Sequence, residues 1–171
     1  NNENAAARFD KLQFVVALTV GRLWEHRQTS VCRTFSEEEK VMLEVIQTDE
    51  APPTIGPYVQ AVRFDNVLYL SGQLGIDPAT RQLVQGGIRE ETDRALKNLA
   101  AVLRAGNSSL EKVVKTTVFM IDLREFEQMN EVYANYFSKW KPARATVEVS
   151  HLPVKARVEI ELVAVIETEP A

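Results

Sequence analysis

The stretch PARATVEVSHLPVKARVEIE, residues 142–161, alternates in two short runs around a Leu-Pro. Side chains that alternate with period two mark strands with one buried face, so residues 144–149 and 157–166 read as two strands closing the chain. In that geometry Arg144 and Glu159 fall on side-chain rows of neighbouring strands. They are then either a cross-strand salt bridge or the two poles of a small-molecule site.

Upstream, residues 113–121 (VVKTTVFMI) are β-branched and read as a buried strand. Two helical patterns flank it. Residues 88–105 place Ile88, Thr92, Ala95, Leu96, Leu99, Val102 and Leu103 on one face, and Gly106-Asn107 stops them. The second helix has Phe126, Met129, Val132, Tyr133, Tyr136 and Phe137 on its face, Asp122 as its cap, and an end before Pro142. Two further β-rich runs, EVIQT at 44–48 and VLYLS at 67–71, are separated by APPTIGPYVQA, whose prolines and glycine exclude a regular element.

The order from Glu44 is therefore strand, loop, strand, helix, strand, helix, strand, strand. This predicts an α+β two-layer sandwich, a mixed sheet with both helices on one face. On the uncovered face Arg144, Thr146 and Glu148 are expected beside Glu159 and Glu161. The facing of Val67, Tyr69 and Val118 is open; if part of that face is apolar, oligomerisation is the natural cover.

At 171 residues, 45% apolar and 26% charged, the chain suits one domain with a sizeable core. A net charge of -4 offers no basic footprint for nucleic acid. One cysteine, Cys32, and two histidines, His26 and His151, give neither an internal disulfide nor a metal cluster. No apolar run reaches the roughly 18 residues that span a bilayer.

Residues 1–35 carry five basic and three acidic residues, a net +2 that leaves -6 for the rest. Phe9, Leu12, Val16 and Leu23 recur at helical spacing between arginines, and Arg33-Thr-Phe-Ser follows. Residues 1–40 therefore read either as a mitochondrial transit segment ahead of a domain at 41–171, or as a helix docked on that domain in a cytoplasmic protein.

Arg144 has alanines on both sides, leaving room for its planar donors to grip a carboxylate. Glu159 can handle a proton if partial burial raises its pKa. Tyr58 is held in a Gly-Pro-Tyr loop, and Ser71-Gly72 stand at a strand end where a ligand can approach the backbone. Each of these also has an ordinary structural explanation as strand surface, loop packing or turn.

Taken in order, AP-x-x-IGPYVQAV, LSGQ, VVKTTVFMIDL, MNEVYANYF, PARATVEV and LP with VEIE resemble the RidA/YjgF family of reactive-intermediate deaminases, also called the endoribonuclease L-PSP family. The resemblance spans residues 45–167. It implies a chorismate-mutase-like fold, a homotrimer whose sheets line a central barrel, and ligand clefts between subunits. It also implies hydrolysis of 2-iminobutanoate, 2-iminopropanoate and their enamine tautomers to 2-oxo acids and ammonia, with no metal or organic cofactor.

By matching motif it assigns carboxylate binding to Arg144, water or proton handling to Glu159, and pocket-lining positions to Tyr58, Ser71, Gly72 and Asn130. Thr146 stands where many members have cysteine, which leaves its backbone as the contact and removes any thiol role. An RNA-cleaving translation inhibitor and a non-catalytic trimeric small-molecule-binding protein are the competing readings.

Overall fold

The computed structural model describes residues 43–166. The targeting reading and the domain boundary at residue 40 lie outside the described residues. Within them the last strand in sequence lies in the middle of the sheet. Six strands, β1 (Leu43–Ile46), β2 (Ala61–Phe64), β3 (Val67–Leu74), β4 (Val113–Met120), β5 (Ala143–Glu148) and β6 (Val158–Val165), run in the order β1-β2-β3-β6-β4-β5. All neighbours are antiparallel except β4 and β5.

The mixed two-layer sandwich is as expected, with three corrections. β2 begins at the last residue of the segment assigned to loop and runs through residues that were given no element, because its four residues, AVRF, are too few to show a period. β5 and β6 are not neighbours, since β4 separates them. Asp122 caps a 3-10 turn, Leu123–Glu125, rather than the helix that follows it.

Helix α1 (Ile88–Ala105) has the predicted bounds. Every residue assigned to its apolar face is buried, and Glu90 and Glu91 in its first turn face the positive end of the helix dipole. Helix α2 (Phe126–Tyr136) buries Met129 and Tyr133. Both helices share one core with Leu68, Leu70, Val118, Met120, Ile160 and Leu162 of the sheet. Val118 thus faces the core, and β4 is buried on this face only, with Val114 exposed on the strand.

Register places the opposite face. Val45, Val62, Tyr69 and Val163 form one cross-strand row, and Leu43, Phe64, Val67 and Val165 the next. Among the described residues nothing covers these rows: Leu43 is 70% exposed, Val45 59% and Tyr69 51%. Further along the same face stand Glu161, opposite Thr117, and Glu159, opposite Phe119.

The turn Pro153–Lys155, just before β6, holds Val154 at φ 51 and Lys155 at φ 61. A β-branched residue in the left-handed region is strained, and Val154 is 62% exposed, so little packing offsets the strain. Val154→Asn should therefore raise unfolding stability by about 1 kcal/mol. Urea titration would show this as a higher midpoint at unchanged slope; an unchanged or lower midpoint would refute the strain.

Candidate functional site

Arg144 points to the helix-covered side of β5, not to the open face. Its strand partner is Thr116, whose buried hydroxyl is 2.8 Å from Tyr133 Oη on α2. The guanidinium lies 4.6 Å from the Tyr133 ring centre and 5.6 Å from that of Phe126. Its Nη1 donates to Asn130 Oδ1 at 2.9 Å. Two ring faces and one amide bond hold the guanidinium in place without neutralising it. No carboxylate pairs with Arg144 among the described residues.

β5 is the edge strand of the described sheet. The Val149 N–H donates inward to Met120 O, and N–H directions alternate along a strand, so those of Arg144, Thr146 and Glu148 lie on the outer edge. Thr146 Oγ1 is buried with no hydrogen-bond partner. Glu148 accepts from the Leu123 N–H at 2.8 Å, tying this edge to the turn before α2. Arg144, Asn130 and Thr146 therefore share one edge.

Of the remaining assigned residues, Glu159 lies on the open face, against Gly72. A Cβ on Gly72 would lie 2.0 Å from Glu159 Oε1, so only glycine allows the carboxyl to rest on β3. Pairing between β3 and β6 slips here, between Leu70 and Gln73. Ser71 Oγ donates to Val59 O at 2.7 Å, and Ser71 N–H to Gln60 O at 3.0 Å, joining this strand end to the loop that carries Tyr58. Tyr58 is half exposed, and its Oη accepts from the Ile55 N–H at 3.5 Å.

Burial raises the Glu159 carboxyl above its usual value, and the charge of Glu161 pushes the same way. A carboxyl so placed holds a proton at a higher pH than a surface glutamate. It suits giving a proton to a nitrogen and taking one from water.

The two groups do not meet within one chain. Arg144 is level with Thr116 and Glu159 with Phe119, on opposite sides of β4. That is roughly 10 Å across the sheet and roughly 10 Å along it, on opposite faces. A groove of about 450 Å³ beside Arg89 and Asn135, and a depression of about 250 Å³ beside Thr48 and Gln60, contain neither residue.

The endoribonuclease L-PSP family model matches residues 48–166. The chain belongs to that family. Among curated proteins, this L-PSP chain is 49% identical over 125 residues to the mouse 2-iminobutanoate/2-iminopropanoate deaminase, covering 73% of the chain and 93% of the mouse protein. Among solved structures, RidA from the Antarctic bacterium Psychrobacter sp. PAMC 21119 is 42% identical with a TM-score of 0.70, over 72% of this chain and 99% of that one. E. coli TdcF with bound serine is 35% identical with a TM-score of 0.70, over 72% and 99%.

Two supporting residues escaped the sequence reading. Gln60, 3% exposed, accepts from the Thr48 N–H at 2.7 Å and donates to Thr48 O at 3.0 Å and Pro52 O at 2.9 Å. It ties the Tyr58 loop to the chain entering it. Glu91, also 3% exposed, accepts from the Arg157 N–H. For Glu91 the one available signal was position, a polar residue on the buried side of a helical pattern; Gln60, in the Pro- and Gly-rich loop, carried none.

A carboxyl whose pKa rises on folding favours the folded state while protonated, and that contribution is lost as pH climbs through the folded value. For Glu159 the loss begins above the ordinary value of 4.5. Glu159→Gln should accordingly flatten the fall in stability on raising the pH from about 4 to about 7. Superimposable pH–stability curves for the variant and the wild type would contradict the placement of this carboxyl.

Proposed function

We propose that this L-PSP chain is a hydrolytic deaminase that converts small 2-imino acids and their enamine tautomers, with 2-iminobutanoate and 2-iminopropanoate as substrates, to 2-oxo acids and ammonia. The observation that carries the reading is the unneutralised guanidinium of Arg144, held by Tyr133, Phe126 and Asn130. Such a group is built to take a carboxylate from outside the chain. The mouse relative's name and the serine on TdcF, an amino acid with a carboxylate, fit that ligand class.

Arg144 grips the substrate carboxylate, with the outward Thr146 N–H beside it. Protonated Glu159 gives its proton to the imine nitrogen, and its carboxylate then takes a proton from the water that attacks the imine carbon. The resulting carbinolamine loses ammonia as the C–N bond breaks and the C=O forms. Tyr58, Ser71 and Gly72 line the cleft. Imine hydrolysis is already facile, so the main contribution is positioning. No cofactor has a role in this scheme.

The cleft is completed by a second copy. In a homotrimer the apolar rows of the open face turn inward, and the β5 edge of one subunit reaches the Gly72 and Glu159 face of the next. The exposed Leu43, Val45, Phe64 and Tyr69 support that cover. A trimer that binds without turnover shares all of this geometry, and the hydrolysis rate separates the two readings. For RNA cleavage, the family's name is the argument in favour; the net charge of -4 and the paired acids Glu159 and Glu161 weigh against it. Residues 1–40 are proposed as a mitochondrial transit segment, and expressing them fused to a fluorescent protein decides between import and cytoplasmic residence.

Mixing two inactive variants tests both the roles and the assembly. Arg144→Ala and Glu159→Gln, each alone, should lower hydrolysis of 2-iminobutanoate by about a hundredfold or more. Trimers refolded from an equal mixture should recover about a quarter of the wild-type activity, because about that share of clefts pairs an intact Arg144 with an intact neighbouring Glu159. Recovery of none would place both residues in one subunit's site or in none.

A further inference from the structure

The sheet-facing side of α1 carries two buried polar residues seven positions apart, Glu91 and Asn98, 3% and 1% exposed. Asn98 Nδ2 donates to Leu74 O at 3.1 Å and Ile76 O at 2.8 Å, fixing the end of β3. Glu91 Oε2 accepts from the backbone N–H of Arg157 at 2.6 Å, at the residue that leads into β6. The helix backbone also abuts β3, since a Cβ on Gly75 would lie 2.6 Å from Glu91 Cα. One helical residue therefore touches the segment three positions beyond Gly72 and the segment two positions before Glu159.

Arg157 has a second tether, a pair of 2.9 Å bonds from Nη1 to the Glu125 carboxylate. That pair holds the tip of a half-exposed side chain; the Glu91 bond holds the backbone itself. Burial raises the Glu91 carboxyl above its usual value, against the opposing pull of the Arg157 N–H and charge. A glutamine of the same shape keeps a carbonyl acceptor for the Arg157 N–H.

We propose that Glu91 is a positioning residue: its carboxyl pins the start of β6 to the helix turn lying against Gly75, and so sets where the Glu159 carboxyl rests over Gly72. The inference depends on the proton-handling role of Glu159 proposed above. It concerns the Gly72–Glu159 side alone, because Arg144 takes its support from α2. Loss of the pin therefore disturbs proton transfer and leaves carboxylate binding in place.

Full-length Glu91→Gln, Glu91→Asp and Glu91→Leu would be assayed on 2-iminobutanoate, with thermal melts to establish folding. Glu91→Leu and Glu91→Asp should lower kcat about tenfold or more while KM stays within about twofold, as expected when a reacting group is displaced rather than removed. Glu91→Gln, which keeps an acceptor at the same reach, should stay within about threefold of the wild-type kcat.

If Glu91→Leu does not fold, Glu91→Asp carries the test, since it keeps the charge and withdraws the carboxyl by one methylene. A wild-type kcat in folded Glu91→Asp, a loss confined to KM, or equal damage from Glu91→Gln would each overturn the proposal. Glu159→Gln is measured alongside. Wild-type kcat there would remove the reading on which the pin rests, whereas an impaired Glu159→Gln beside an unimpaired Glu91→Asp would remove the pin alone.

Discussion

The position of β6 between β3 and β4 is the constraint on which the rest of the structure depends. Its inner side chains, Val158, Ile160, Leu162 and Ala164, are at most 2% exposed, and its outer ones include Glu159 and Glu161. Core residues and the candidate proton-handling carboxylate thus alternate along one strand. A slip of one residue would drive two carboxylates into the core and four apolar side chains out of it. With burial of each Val or Leu side chain contributing roughly 1.5–3 kcal/mol, the hydrophobic term holds the register that the polar face uses.

Polar groups are supported in different ways on the two sides of the sheet. Arg144 is steadied by aromatic faces, contacts worth roughly 0.5–2 kcal/mol, rather than by a carboxylate that would occupy the same donors. Its charge stays available. Glu159 is steadied by close approach to a glycine and by partial burial, which shifts its proton affinity instead of cancelling its charge. Glu148 shows the other case on the same strand as Arg144: its carboxylate is spent on the Leu123 N–H and serves structure.

Most of the architecture was legible because it rests on periodicity. The bounds and buried face of α1 follow from eighteen residues of consistent helical spacing closed by Gly106. What was not legible rests on pairing between distant segments. Nothing local in Ala61–Phe64 says that it pairs on both sides, and nothing in residues 142–161 says that β4 intervenes between the two runs. Alternation identified which residues of β5 and β6 share a face within each strand. It does not relate the faces of strands that are not neighbours, and so Arg144 was assigned to the open face when it lies on the α2 side of the sheet. The candidate residues came from motif resemblance, and the supporting Gln60 and Glu91 came from neither source, because their partners are backbone groups set by the tertiary fold.

The candidate site is divided across two faces, which is why the proposed function calls for a second copy. Neighbouring strands are rotated by roughly 20–25°, so the two steps from β6 to β5 turn the sheet by roughly 45°. Bringing opposite faces to a common ligand within one chain requires a rotation nearer to 180°. No rotamer of Arg144 supplies that, and its guanidinium is already held on the far side by Asn130. The proposed second copy needs no distortion: one subunit offers an edge strand and the next an uncovered sheet face. Burial of the apolar rows of Val45, Tyr69 and their neighbours is the driving force for that proposed contact. In the proposed trimer the uncovered apolar rows and the Gly72–Glu159 side of the cleft belong to the same face of the sheet.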